Sequence, residues 1–112
     1  MNKILSSTKE LLGIPDAATE FDSQLVLQIN SVLTTLHEIG FSEDVYQTTL
    51  TDGDLEEYIP DDEAIRAKVQ MYIFTKVRLV FDPPTSSFVL TALQATAAEY
   101  EWRLTDYCPP NV

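Results

Sequence analysis

The chain holds one cysteine, one histidine, one tryptophan and three glycines in 112 residues. Each scarcity excludes something. The single thiol, Cys108, cannot close an intrachain disulfide. It lies between Tyr107 and Pro109, with no nearby base to activate it as a nucleophile. His37 has no second histidine or neighbouring cysteine to complete a zinc site. It falls near the C-terminus of an expected helix, where positive charge is mildly favourable, and that reading is preferred to a base or a ligand. Basic residues are few, seven against 18 acids, for a formal net charge of −11. A nucleic-acid backbone calls for a clustered basic face, which this balance argues against. No apolar run approaches the roughly 20 residues of a membrane span. Met1-Asn2-Lys3-Ile4-Leu5-Ser6 lacks a signal-peptide core and cleavage site, so manufacture in the cytoplasm is expected. Glycine-rich phosphate loops and nucleophile–base pairs are missing as well. No enzyme, cofactor or metal is expected.

What is present is helical periodicity. The length fits one domain, able to bury about two-thirds of its unfolded surface. A first helix is expected over about 2–12, with Ile4, Leu5, Thr8, Leu11 and Leu12 in phase. Ser7 and Glu10 offer a capping box for a later start. Gly13 and Pro15 stop it. This helix either packs in the core or reaches a neighbouring subunit. A second is expected over about 20–39, opened by a Thr19/Asp22 capping box and closed at Gly40. Phe21, Leu25, Ile29, Val32, Leu36 and Ile39 form its seam, widened by Val26 and Leu33.

The stretch 41–60 is the least periodic. Asp52-Gly53-Asp54-Leu55-Glu56-Glu57 resembles a calcium loop only briefly, because Glu57 stands where the turn glycine must be. Asp52, Asp54, Glu56, Glu57, Asp61, Asp62 and Glu63 form an acidic run without a base. It is either a solvated surface or an interface for basic residues of an identical neighbour. Asp61, Asp62 and Glu63 open a third long helix, where acids complement the helix dipole. Ile65, Val69, Tyr72, Ile73, Val77 and Val80 form its stripe, with Met71 and Phe74 on a second face. Arg66, Lys68, Lys76 and Arg78 place four of the seven bases on it.

Asp82-Pro83-Pro84-Thr85-Ser86-Ser87 follows. Two prolines stop the helix and the hydroxyls cap the next, which predicts an antiparallel helix hairpin. The last helix is expected over about 86–106, with Val89, Leu93, Thr96, Tyr100 and Leu104 on one stripe and Phe88, Ala92, Ala95 and Trp102 on another. Trp102 is expected in the core. Residues 107–112 form an extended tail that its prolines keep from being helical. The fold class is all-α: a small helical bundle with three long helices, a double-proline hairpin and one or two short helices. Residues 1–106 make one domain.

Val69 to Leu104 resembles the phage head–tail connector proteins of the gene-product-six-like family. The match is carried by Lys76-Val77-Arg78-Leu79, by Phe81-Asp82-Pro83-Pro84-Thr85-Ser86-Ser87-Phe88-Val89-Leu90 and by Glu101-Trp102-Arg103-Leu104. Leu11-Leu12-Gly13-Ile14 and Ile29-Asn30-Ser31-Val32-Leu33 extend it toward the N-terminus. The stretch 41–60 follows the family pattern least. The resemblance implies a structural subunit of a homo-oligomeric ring, dodecameric in the virion. The ring docks on the portal protein at the head–tail junction and meets the next connector or tail-completion protein. DNA passes through without specific binding, and no membrane is involved. A closed ring needs two different complementary faces. The candidate subunit interface pairs Asp52, Asp54, Glu56, Glu57, Asp61 and Asp62 with Arg66, Lys68, Lys76 and Arg78. Tyr107, Pro109 and Pro110 are candidates for contact with the portal or a neighbour. The alternative reading is an acidic DNA mimic or another protein-binding inhibitor module.

Overall fold

Asn2 begins the first helix by accepting the Leu5 N–H on its Oδ1 at 2.8 Å, which satisfies a donor that a helix N-terminus leaves open. The computed structural model describes residues 2–60, 62–81 and 83–106. Among them the chain runs α1 (Lys3–Leu12), α2 (Asp22–Glu38), α3 (Leu55–Tyr58), α4 (Glu63–Phe81) and α5 (Ser87–Thr105). This is the expected all-α bundle, with α2, α4 and α5 as its long helices.

Glycine ends α1 and α2 in the same way. Gly13 and Gly40 have φ of 79° and 89°, a backbone state that costs a glycine little. Each glycine N–H returns to the carbonyl three residues back, and the next N–H to the carbonyl five back. This Schellman arrangement carries Ile14 and Phe41 back onto the core.

The start of α2 differs from expectation. Phe21 is its N-cap, without a side-chain bond. The Thr19/Asp22 box does not form, because the Asp22 carboxylate is taken by Lys9 Nζ at 2.9 Å. The Ser7/Glu10 box is not used either, since α1 already starts at Lys3. Asp62 caps α4 by accepting the Ile65 N–H at 3.1 Å, and Ser86 caps α5.

The centre of the bundle is α4, which packs on α1, α2, α3 and α5. Its Val69, Tyr72, Ile73 and Val77 are buried with Leu25, Ile29, Leu33 and Leu36 of α2 and Ile4 and Leu5 of α1. The α4–α5 hairpin is joined there by Tyr72, whose hydroxyl donates to Glu101 Oε2 at 2.9 Å. Burial, then the bond to Glu101 and its charge, push the Tyr72 phenol well above its ordinary range, so the donor proton stays in place at any ordinary pH. The molecule measures 41 × 34 × 21 Å. The short axis is about two helix diameters of roughly 10–12 Å each. In so thin a slab α5 is covered on one side only.

The aperiodic stretch is nonetheless firmly held. Lys3 N–H donates to the Gly53 carbonyl at 2.7 Å, and Asn2 pairs with Gly53 in a parallel bridge. Asn2 Nδ2 donates to the Thr49 carbonyl at 2.6 Å. Asn30 Oδ1 accepts both the Thr48 N–H, at 2.7 Å, and its hydroxyl, at 3.0 Å. Asn30 Nδ2 donates to the Thr48 carbonyl at 3.0 Å. Tyr46 stacks on Tyr58 with centroids 5.0 Å apart, and Phe41 meets Tyr58 edge-on. Burial raises the Tyr58 phenol above its ordinary range, against a lowering by its bond to Ser42.

Candidate functional site

The acidic run divides by role. Asp54 caps α3 by accepting the Glu56 N–H at 2.9 Å, and its other oxygen lies 3.5 Å from Lys3 Nζ. Asp62 is occupied as the cap of α4. Asp52 closes a turn with Thr49, the Thr49 N–H donating to its carbonyl at 2.8 Å. Glu56 and Glu57 face solvent in the first turn of α3. Asp61, Tyr107, Pro109 and Pro110, like Cys108, lie outside the described residues.

The basic residues of α4 divide too. Arg66 folds over the acidic segment of its own chain, donating from Nη1 to the carbonyls of Ile59 at 2.6 Å and Pro60 at 3.1 Å. It lines a polar groove of about 290 Å³ with Lys3, Asp54, Glu56 and Glu63. Lys68 lines a separate groove with Glu99, Tyr100 and Arg103. Lys76 and Arg78 are half-exposed further along α4, without an ion-pair partner among the described residues. The structure thus brings Arg66 to the acidic segment within one chain and leaves Lys68, Lys76 and Arg78 apart from it.

Chemistry has little to work with here. Among the described residues, no group of three or more His, Cys, Asp and Glu could hold a metal ion, and no helix is long and apolar enough to cross a membrane. His37 Nδ1 lies 3.1 Å from the Ser42 carbonyl. That oxygen can only accept, so the ring donates and helps close the turn after α2.

The most unusual surface is apolar. On α5 only Ala97 and Leu104 are buried, with Leu90, Leu93 and Tyr100 half-covered. Leu93, Tyr100 and Leu104 of the expected stripe thus face inward, while Leu90 and Ala97 take the places expected of Val89 and Thr96. Phe88 is 82% exposed and Trp102 67%. Trp102 misses the core because Leu104, two residues on and roughly 200° around the helix, takes the inward place. A second uncovered region lies between α2 and α4. Phe21, Leu27, Val80 and Phe81 line an open groove of about 460 Å³ with Gln24 and Gln28. Phe21 and Phe81 form one wall edge to face, with centroids 5.3 Å apart. Leu27 is 70% exposed and Val80 63%. Phe21 and Val80 were expected as stripe members, whereas Leu27 carried no expectation. Scattered apolar side chains are normal on a surface, whereas clusters of this kind mark contacts.

Comparison with known proteins bears on this surface. A family model described as "Phage connector protein" matches residues 4–110. No curated protein and no solved structure matches the chain.

Proposed function

The chain belongs to the phage connector protein family, and from that premise we propose that it is one subunit of a ring that docks on the portal and joins the head to the tail. Membership makes it a structural component of the virion at large. The ring, the portal and the next connector are the finer reading. The observation that carries it is the uncovered apolar surface of α5, α2 and α4. A lone 112-residue subunit gains nothing from so much exposed side chain, whereas an assembling one buries it.

Charge would then set register. Glu56 and Glu57 of one subunit face solvent, and Lys76 and Arg78 of another lack an intrachain ion-pair partner among the described residues. Asp52, Asp54, Asp61, Asp62, Arg66 and Lys68 complete the proposed contact as its flanks. Each exposed pair contributes about 0–1 kcal/mol, so burial supplies most of the affinity and charge the orientation. The tail around Tyr107, Pro109 and Pro110 is proposed to reach the portal or the next connector.

Light scattering over a concentration series, with a pull-down on purified portal protein, tests the reading. A ring-sized species, alone or on the portal, is expected. A strict monomer that portal protein does not capture would overturn it. Arg78→Glu should weaken assembly by up to about tenfold, the equivalent of 1.4 kcal/mol. Unchanged assembly in that variant removes the charge contact and leaves the ring intact.

A further inference from the structure

The uncovered side of α5 is ordered along its length. At about 100° per residue, Phe88, Ala95 and Trp102 fall on one line of the helix, and all three are exposed. The buried Ala97 and Leu104 lie on the opposite side. Thr91, Ala92 and Ala98 flank the line and are exposed too. The two large side chains stand at its ends, roughly 21 Å apart at the helical rise per residue. Between them the helix is small-sided.

This spacing reads the same from either end. Phe88 stands seven positions before Ala95, and Trp102 seven positions after it. A fitting partner must present large side chains the same distance apart, with small ones between. A second α5 turned end for end does so. With the two Ala95 residues opposed, Phe88 of each copy meets Trp102 of the other, where aromatic pairs pack favourably. The alanines let the two axes approach to about 8 Å, the close end of ordinary helix spacing.

Charge does not oppose this arrangement. Glu99 lies within the stripe, but it is paired with Arg103 of its own helix at 2.9 Å, and Lys68 lines the same groove. In this register Glu99 faces the Thr91 hydroxyl of the other copy, which can donate to it. Asp106, one turn past Trp102, falls at the rim, beyond the start of the facing helix. The area is sufficient as well. Phe88 is 82% exposed and Trp102 67%. At roughly 150–250 Å² per aromatic side chain, the four of a pair offer about 450–750 Å². The residues between them bring the total to about 1,000 Å², the scale at which specific contacts begin.

We infer that the free chain forms a two-fold pair through α5, antiparallel and centred on Ala95. The pair goes beyond the ring reading and does not depend on it. A two-fold contact uses the same patch on both copies and closes on itself, so it cannot propagate. It holds free subunits at two, and it must part before α5 can serve in a ring.

The test places single thiols on the full chain, with Cys108→Ser removing the native one. Under mild oxidation Ala95→Cys should link to its twin, because facing Cα atoms at this spacing fall near the roughly 4.4–6.8 Å that a disulfide spans. Thr91→Cys and Glu99→Cys should link to each other when mixed and stay single apart, since equal positions lie roughly 12 Å from one another in this register. Ser31→Cys, on the exposed side of α2, is the control and should stay single. In light scattering the wild type should pass from monomer to dimer at concentrations on the order of micromolar. Trp102→Glu, a change at an exposed position, should melt like the wild type and stay monomeric there. A wild type that never pairs, or that forms rings without the Ala95→Cys link, overturns the inference. So does Thr91→Cys linking to itself. The ring reading fails separately, only if portal protein captures no subunit.

Discussion

Lys9→Met should lower the unfolding free energy by about 3 kcal/mol, within the range found when one partner of a buried ion pair is removed. For a domain of this size that is a fall in Tm of roughly 15 °C. Lys9 is 2% exposed. Its ammonium donates to the carbonyls of Asp16 at 3.1 Å and Ala18 at 2.7 Å and to the Asp22 carboxylate at 2.9 Å. All three of its protons are used. Methionine fills nearly the same space, so the loss is electrostatic. Two carbonyls and a carboxylate lose their donor, and replacing a lost partner inside a protein costs more than the bond contributed. The Asp22 side chain is 20% exposed, which keeps the cost at the low end of the range. Adding Asp22→Asn to Lys9→Met should recover part of it, and the double-mutant cycle reads the coupling directly. A loss under about 1 kcal/mol, the ordinary scale of an exposed pair, would mean that the clamp does not hold the turn.

Gly53→Ala is expected to cost about 2–4 kcal/mol, from overpacking and a lost helix cap together. A Cβ at Gly53 would stand 2.7 Å from Asn2 Oδ1 and 2.7 Å from Thr48 Cγ2. Neither neighbour is free to yield. Asn2 is held by the Leu5 N–H and by its bond to the Thr49 carbonyl, and Thr48 is held by Asn30. Both are buried. The added methyl group must break the α1 cap or push the loop away from it. Urea unfolding of the variant reads the sum. Unchanged stability would show that this approach relaxes without loss.

These two residues also show where the sequence stops being legible. Periodicity located the seam of α2, the stripe of α4 and the double-proline hairpin, because a helix repeats its buried face every three or four residues. Gly13 and Gly40 announced two helix ends. Nothing in the local sequence of Lys9 announces burial, since lysine is almost never inside unless paired. Its burial follows from the Gly13 turn folding residues 16–22 back over it. Gly53 reads as a turn residue, yet it serves as a place where two backbones touch. The surface was half legible. Phe88 and Trp102 shared a second stripe on α5, but Trp102 was expected in the core and is 67% exposed, and Leu27 carried no expectation. Which stripe faces inward depends on the thickness of the bundle, which periodicity alone does not contain. The acidic run reads as one face, but Asp54 and Asp62 spend their side chains on helix starts.

The link between Asn2 and Gly53 has a consequence for the timing of local motion. The stretch 41–60 has the composition of a loop, and a loop of that length would ordinarily open on its own. Here its amides are locked from both sides. The Thr48 N–H is bound by a side chain of α2, the Thr49 N–H by the Asp52 carbonyl and the Asp54 N–H by the Tyr46 hydroxyl. The first bond ties the segment to α2; the other two lie within the segment, which the start of α1 holds through the Gly53 and Thr49 carbonyls. In native-state hydrogen exchange these three amides should therefore follow the slow helical core, in one cooperative unit with it. Exchange at the rate of the exposed Leu50 would show that the segment opens by itself. If they do exchange with the core, this stretch, which looks least structured in the sequence, gives way only when the domain does.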